Sequence, residues 1–207
     1  MSGRQSAEGR KAQIVAEVLR LADEIGPDRL STMDIARAVG LSQPAIFRHF
    51  PTKGALWLAV AEDIAARLER DWTAAEAQSA APQDRIKALI GAQLNAISDT
   101  PALPSILFSR ELQVDNPALR DVFQRLLGRF QGRLVAAIRD QRATTVRRHA
   151  VSPEDIAMLL TSLVQGVAIR WTLGVRSFPV VQEGLRLFDV QMALLIAQED
   201  GLDEQEG

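Results

Sequence analysis

The sequence predicts an all-α fold of about nine helices, in which three short N-terminal helices precede a set of longer ones. Three observations carry that expectation. Apolar residues recur at three- and four-residue intervals in almost every segment, no stretch alternates at a period of two, and residues that start or stop helices stand where the periodicity begins and ends.

Taken in order, the first helix is expected over 10–25, where Ile14, Val18, Ala22 and Ile25 form one stripe and Gly26-Pro27 ends it. Ser31-Thr32-Met33-Asp34 has the form of a capping box, with the Asp34 carboxylate in place of the usual Glu. The helix it opens carries Ile35, Ala36 and Val39, and Gly40 stands just past its end, where a positive φ is common. The next stretch, LSQPAIFRHF at 41–50, reads as a helix of roughly two turns. Ser42 is a candidate N-cap, Pro44 fits the first turn because it has no N–H to lose, and Pro51 stops the helix. Ala45, Ile46 and Phe50 can face a core, which leaves Gln43, Phe47, Arg48 and His49 to meet something outside the domain. Thr52 can cap a fourth, longer helix with Leu56, Val60, Ile64 and Leu68 at four-residue spacing.

Ser79-Ala80-Ala81-Pro82 is a weak linker, after which Ile86, Leu89, Ile90, Leu94 and Ile97 line one helical face. Pro101 and Pro104 bracket a turn before the short run SILFSRELQ, and Pro117 opens a long helix reaching Ile138. Residues 141–151 are polar and basic and read as a loop or frayed end. Ser152-Pro153-Glu154-Asp155 is a second strong helix start, with Pro at N1 and acids on the positive helix end. That helix runs to Leu173-Gly174, and a last one covers about 180–198.

Composition excludes several classes. No apolar run approaches the ~18 residues of a membrane span, and MSGRQSAEGRKAQ holds no signal-peptide core, so a cytoplasmic chain with no membrane partner is expected. With no cysteine there is no disulfide, thiolate metal site or cysteine nucleophile. The two histidines, His49 and His149, belong to no metal or catalytic motif, and no Gly-rich phosphate loop occurs; neither an enzyme nor a cofactor or metal is expected. The net charge of −2 is unevenly spread: residues 1–53 hold eight Lys and Arg against six Asp and Glu, while EDGLDEQEG at 199–207 is acidic and reads as a disordered tail.

Two short helices joined by Ala38-Val39-Gly40-Leu41-Ser42 form the helix-turn-helix pattern, with Ile35, Val39, Leu41 and Ile46 packing the pair on the first helix. The second helix would enter a DNA major groove with its N-terminal residues toward base edges. Gln43 offers a donor and an acceptor to a base, Pro44 and Ala45 can touch a thymine methyl, and Arg48 and His49 can reach bases or phosphates. Lys53 in the first turn of the fourth helix opposes the helix dipole, an arrangement that makes sense if a phosphate sits there, and Thr32 can serve another phosphate. Arg4, Arg10 and Lys11 form a loose basic arm.

Over 10–60, RKAQIVAEVLRLADEIG…LSTMDIARAVGLSQPAIFRHFPTKGALWLAV, the chain resembles the TetR family of transcriptional regulators. The spacing of DIARAVGLS, the aromatic-x-His-Phe and the following Lys-x-x-Leu carry the likeness. The resemblance implies that Thr32, Gln43, Pro44, Phe47, His49 and Lys53 occupy DNA-contact positions. It departs where Phe47 stands for the family's usual Tyr, losing a hydroxyl, and where Gly54 replaces a common acidic residue. It further implies a C-terminal ligand-binding and dimerisation domain. The expected division is therefore a basic arm over 1–9, a DNA-binding domain over 10–52, a helical domain over 53–198 and the tail.

The two terminal helices are apolar over more than one stripe, which fits a two-fold dimer whose four helices bundle. Leu160, Leu163, Gly166 and Val167 on the first, with Phe188, Met192 and Leu195 on the second, are the candidate dimer residues. A ligand site combines apolar walls with a few polar groups. Gln93, which interrupts the Ile86/Ile90/Ile97 stripe, and Gln165 are the polar candidates. Ile97, Phe108, Phe123, Leu127, Phe130 and Trp171 are the apolar ones, with plain core filling as the alternative for each. The functional expectation is a homodimeric repressor released from a palindromic DNA operator by a small, largely apolar effector. The alternative is an effector-independent, architectural DNA-binding protein.

Overall fold

The structure, a computed structural model, describes residues 6–79, 81–143 and 151–203. Among the described residues there are ten α-helices and no strand. They are α1 (Ala7–Ile25), α2 (Thr32–Ala38), α3 (Gln43–His49), α4 (Lys53–Gln78) and α5 (Pro82–Asp99), then α6 (Ala102–Phe108), α7 (Arg110–Asp115), α8 (Pro117–Ala143), α9 (Pro153–Leu173) and α10 (Val180–Asp203). The tenth helix comes from the run 105–113, which breaks in two at Ser109. The helices group into two compact units, residues 1–67 with 100–125, and residues 68–99 with 126–207. The boundary expected between 52 and 53 therefore moves: the first half of α4, α6, α7 and the start of α8 belong with the N-terminal helices.

In the first unit, the Ser6 hydroxyl caps α1 by accepting from the Gly9 N–H at 3.0 Å. The helix therefore starts before Arg10 and Lys11, which bond to Gln13 at 2.6 Å and Glu8 at 3.2 Å on the helix surface. They form no loose arm, and Arg4 lies outside the described residues. Ile14, Val18 and Ala22 are buried as the stripe predicts, whereas Ile25 at its end is exposed. Gly26 ends the helix at φ 86°. The Ser31–Asp34 capping box forms in both directions, each backbone N–H 3.2 Å from the other side chain. Those bonds from Ser31 hold the Asp34 carboxyl below its ordinary range.

Ser109 explains the α6–α7 break. Its hydroxyl accepts from the Leu112 N–H at 2.9 Å, capping α7, and donates to the carboxylate of Asp28 in the α1–α2 turn. Gly54 has a reason too. A Cβ at that position would lie 3.1 Å from Oδ1 of Asn116, so an acidic side chain there would push against another oxygen.

In the second unit, α5 packs against α9 and α10. Leu89, Ile90 and Leu94 are fully buried, and Gly184 lets α10 come close: a Cβ there would sit 2.6 Å from Leu94 Cδ1. Trp72 of α4 is 1% exposed, stacks on Phe130 of α8 with centroids 5.0 Å apart, and donates its indole N–H to Gln93 Oε1 of α5 at 3.0 Å. Arg133 lies over the same indole and pairs with Glu69 at 2.9 Å and with Glu76.

Two expectations are corrected at the C-terminal end. The acidic residues expected as a disordered tail from 199 continue α10 to Asp203, while 204–207 lie outside the described residues. Helix α9 has an 18-residue window of mean hydropathy 1.5, so by length and composition it is apolar enough to cross a membrane, although no such run was expected. Its inward stripe packs on α5 and α10, and 44% of the window is buried within the structure.

Candidate functional site

Seven residues of α3 decide what the N-terminal unit presents. The chain enters α3 from Gly40, whose φ of 68° turns it sharply after α2. Gln43 occupies N1 and Pro44 N2, and the Ala45 and Ile46 N–H groups bond to the Ser42 carbonyl at 2.9 and 3.2 Å. Ile46 and Phe50 are buried, which pins one face of α3 to the unit. Period 3.6 then turns Gln43, Pro44, Phe47 and Arg48 outward, all of them exposed, with His49 half-buried at the edge.

The structure bears here on one expected DNA contact, Ala45, and on one expected cap, Ser42, which stays exposed as a candidate contact. Ala45 is 6% exposed, so its methyl belongs to the core and cannot meet a base. Ser42 sits at the N-cap position, yet its side chain makes no cap bond. Pro44 at N2 has no N–H to give it, and the hydroxyl stays exposed at the start of α3.

Two of the remaining candidates meet. Gln43 Nε2 donates to Thr32 Oγ1 of α2 at 2.8 Å, joining two of the expected contacts directly. Lys53 is exposed at the start of α4, which Thr52 caps by accepting from the Ala55 N–H at 2.9 Å. Among the described residues neither Arg48 nor Lys53 pairs with a carboxylate, whereas Arg20, Arg85, Arg129 and Arg139 do. Exposed cations left unpaired beside an amide and an apolar ring suit a polyanion with readable edges. Met33 on α2 is 58% exposed beside Thr32 and was missed, because its position alone does not separate an outward methionine from a core one.

The expected ligand residues are shared between the two units. Phe108 and Phe123 belong to the first unit, and Gln93, Ile97, Leu127, Phe130, Gln165 and Trp171 to the second. Phe108 and Leu127 are exposed, while Ile97, Phe123, Phe130 and Trp171 are buried. Gln93 and Phe130 each touch Trp72. That tryptophan was missed although it extends the Leu56–Val60–Ile64–Leu68 spacing by one step. Elsewhere, α4 and α5 line an open groove of about 850 Å³ with Asp71, Asp84, Asp99 and small residues such as Ala88 and Gly91. It contains none of the expected ligand residues.

The expected dimer residues divide by face. Leu160, Val167 and Phe188 are buried within their own unit, so they cannot form the contact surface. Gly166 is exposed, and Leu163, Met192 and Leu195 are half-buried. The apolar residues that α9 and α10 leave outward are Met158, Leu159, Ile169 and Leu173, with Val190 and Leu194. His149 lies outside the described residues, and among those described no group of three or more His, Asp or Glu could hold a metal ion.

Two family models match. That of bacterial regulatory proteins, tetR family, covers residues 14–60, and that of the BetI-type transcriptional repressor, C-terminal, covers 82–186. Among curated proteins, the nucleoid occlusion factor SlmA of Vibrio atlanticus is 25% identical over 198 residues, spanning 96% of this chain and 99% of its own. Among solved structures, a transcriptional regulator from Saccharomonospora viridis in complex with choline aligns at a TM-score of 0.76 and 22% identity, over 88% of this chain and 95% of its own. A TetR transcription regulator from Haloarcula marismortui aligns at 0.74 and 19% identity, over 87% and 94%.

Proposed function

The chain belongs to the TetR family of bacterial regulatory proteins, and from that premise we propose a homodimeric repressor that reads a palindromic operator through α3 and is released by a small effector. The observation that carries the DNA-reading part is the outward face of α3, where Gln43, Pro44, Phe47 and Arg48 are exposed, followed by the exposed Lys53 at the start of α4. Two such helices in a two-fold dimer meet half-sites about one helical turn, roughly 34 Å, apart. The exposed apolar stripes of α9 and α10 support the dimer, since each is what an isologous helix bundle would cover. Such a regulator works in the cytoplasm, where its DNA is.

Effector control would act by favouring a dimer state with a different half-site spacing. Helix α4 is continuous from Lys53 to Gln78, so it can carry such a change to the phosphate-contacting end. By linkage, operator DNA must weaken effector binding by the factor by which the effector weakens DNA binding. A second reading, DNA binding without effector control, is favoured by two observations. The relatives called nucleoid occlusion factors align along nearly the whole chain, and the polar candidate Gln93 is already engaged by Trp72.

The first experiment selects binding sites for the purified chain from fragmented genomic DNA at about 150 mM salt, without added ligand. An inverted repeat supports the specific dimeric reader; binding without a shared motif overturns it in favour of the architectural reading. Candidate effectors, cationic and apolar, are then screened for a melting temperature that rises with concentration. A hit that leaves operator affinity unchanged overturns effector release. On the selected operator, Gln43→Ala is expected to cost about 1–3 kcal/mol and to relax preference at one position. Lys53→Ala is expected to weaken all sequences alike and to lower the salt slope by about 1. Competition binding across a salt series separates the two.

A further inference from the structure

Resting on the reading of α3 as the base-contacting helix, we infer that the Thr32 hydroxyl presets the Gln43 amide so that this residue selects adenine and rejects guanine. Gln43 Nε2 donates to Thr32 Oγ1 at 2.8 Å. Gln43 is exposed and Thr32 half-buried, so nothing in the unit needs this bond for burial. A glutamine amide carries two N–H donors and one carbonyl acceptor. With one N–H held by Thr32, the outward edge consists of one acceptor, Oε1, beside one donor.

The major-groove edges of the two purines answer that pattern differently. Adenine presents the N6–H donor beside the N7 acceptor and matches it group for group. Guanine presents two neighbouring acceptors, O6 and N7, and asks for two donors. An amide with one N–H already committed cannot supply both. Thr32 thus acts as a positioning residue: it touches Gln43, and Gln43 touches the base.

The acceptor that Thr32 offers is itself held in place. Thr32 is the first residue of α2, directly after the N-cap Ser31 and within the Ser31–Asp34 capping box, and its branched Cβ restricts χ1. A long exposed glutamine otherwise loses several rotamers on meeting DNA, and here part of that ordering precedes binding. The preset side chain therefore favours the matching base without adding a contact to it.

The test uses the full chain and the selected operator, with A·T and G·C exchanged at the position that Gln43→Ala relaxes. The unaltered chain is expected to favour adenine over guanine there by roughly 5- to 150-fold. Thr32→Val keeps the shape and removes the hydroxyl, and should cut that preference to about twofold, the scale of an ordinary surface change. The salt slope should not move, because neither side chain is charged. Thr32→Ser keeps a hydroxyl and should retain the preference. Melting curves of each variant establish that the fold is intact. A Thr32→Val chain that still prefers adenine overturns the inference. So does an unaltered chain that prefers guanine, since that requires the amide turned the other way. Selection of no sequence, or a Gln43→Ala chain with unaltered preferences everywhere, overturns the reading of α3 itself.

Discussion

Replacing Trp72 by alanine is expected to cost about 3–5 kcal/mol of stability, the largest effect of any single truncation considered for this chain. The indole is 1% exposed, so its removal opens a cavity that neighbouring helices can only partly close. It also ends three specific contacts at once. The ring stack with Phe130 of α8 is lost, the Gln93 carbonyl of α5 loses its donor, and the Arg133 guanidinium loses the aromatic face beneath it. Each ties α4 to another helix of the second unit, so the loss falls on the packing of three helices together. Urea unfolding followed by far-ultraviolet circular dichroism measures it. Trp72→Phe separates the causes, because it keeps most of the ring volume and removes only the N–H; a loss of about 1 kcal/mol is expected there. A Trp72→Ala loss below about 1 kcal/mol would mean that the indole is not the packing centre the geometry makes it.

If the chain forms the proposed dimer, Leu194→Glu is expected to raise its dissociation constant by at least about 100-fold, without unfolding the chain. Leu194 is 68% exposed on α10, so Leu194→Glu changes the isolated chain about as little as any surface substitution, within ~0.5 kcal/mol. In a two-fold bundle that covers the outward stripes, the same carboxylate would be buried without a partner, at a cost of several kcal/mol. Sedimentation equilibrium reads the dissociation, and operator binding should fall with it, since one α3 reaches only one half-site. The contrast is Leu160→Glu. Leu160 is fully buried in its own unit, so that change should unfold the chain and show no folded monomer. A Leu194→Glu chain that stays dimeric and binds the operator as before would move the interface to another surface.

These two positions also show what could be read from the residues. Helical periodicity identified α9 and α10 and showed that both carry more apolar surface than one face needs. It could not say which stripe faces inward. Leu160 and Val167 lie on the stripe that packs on α5 and α10, and Leu159 and Ile169 one step round the helix face out. Both sets have the same spacing and nearly the same chemistry, so only the positions of the neighbouring helices separate them.

The N-terminal unit was far more legible. Capping and turn residues act through bonds to backbone a few positions away, so Ser31–Asp34, Gly26, Gly40 and Thr52 declared their structures before any packing was known. Of the expected outward set Gln43, Phe47, Arg48 and His49, the first three are exposed as the same local rules predict, and His49 is half-buried. Ala45 was misread only in being counted on both faces.

Sequence alone therefore determined the helical class, most helix ends and most of the outward face of α3, because these depend on local bonds and on a fixed angular period. Tertiary structure decided the rest: the break at Ser109, the meeting of Thr32 with Gln43, the packing of Trp72 on Phe130 and Gln93, and the outward stripes of α9 and α10. Each depends on which segments become neighbours, and period and propensity say nothing about that.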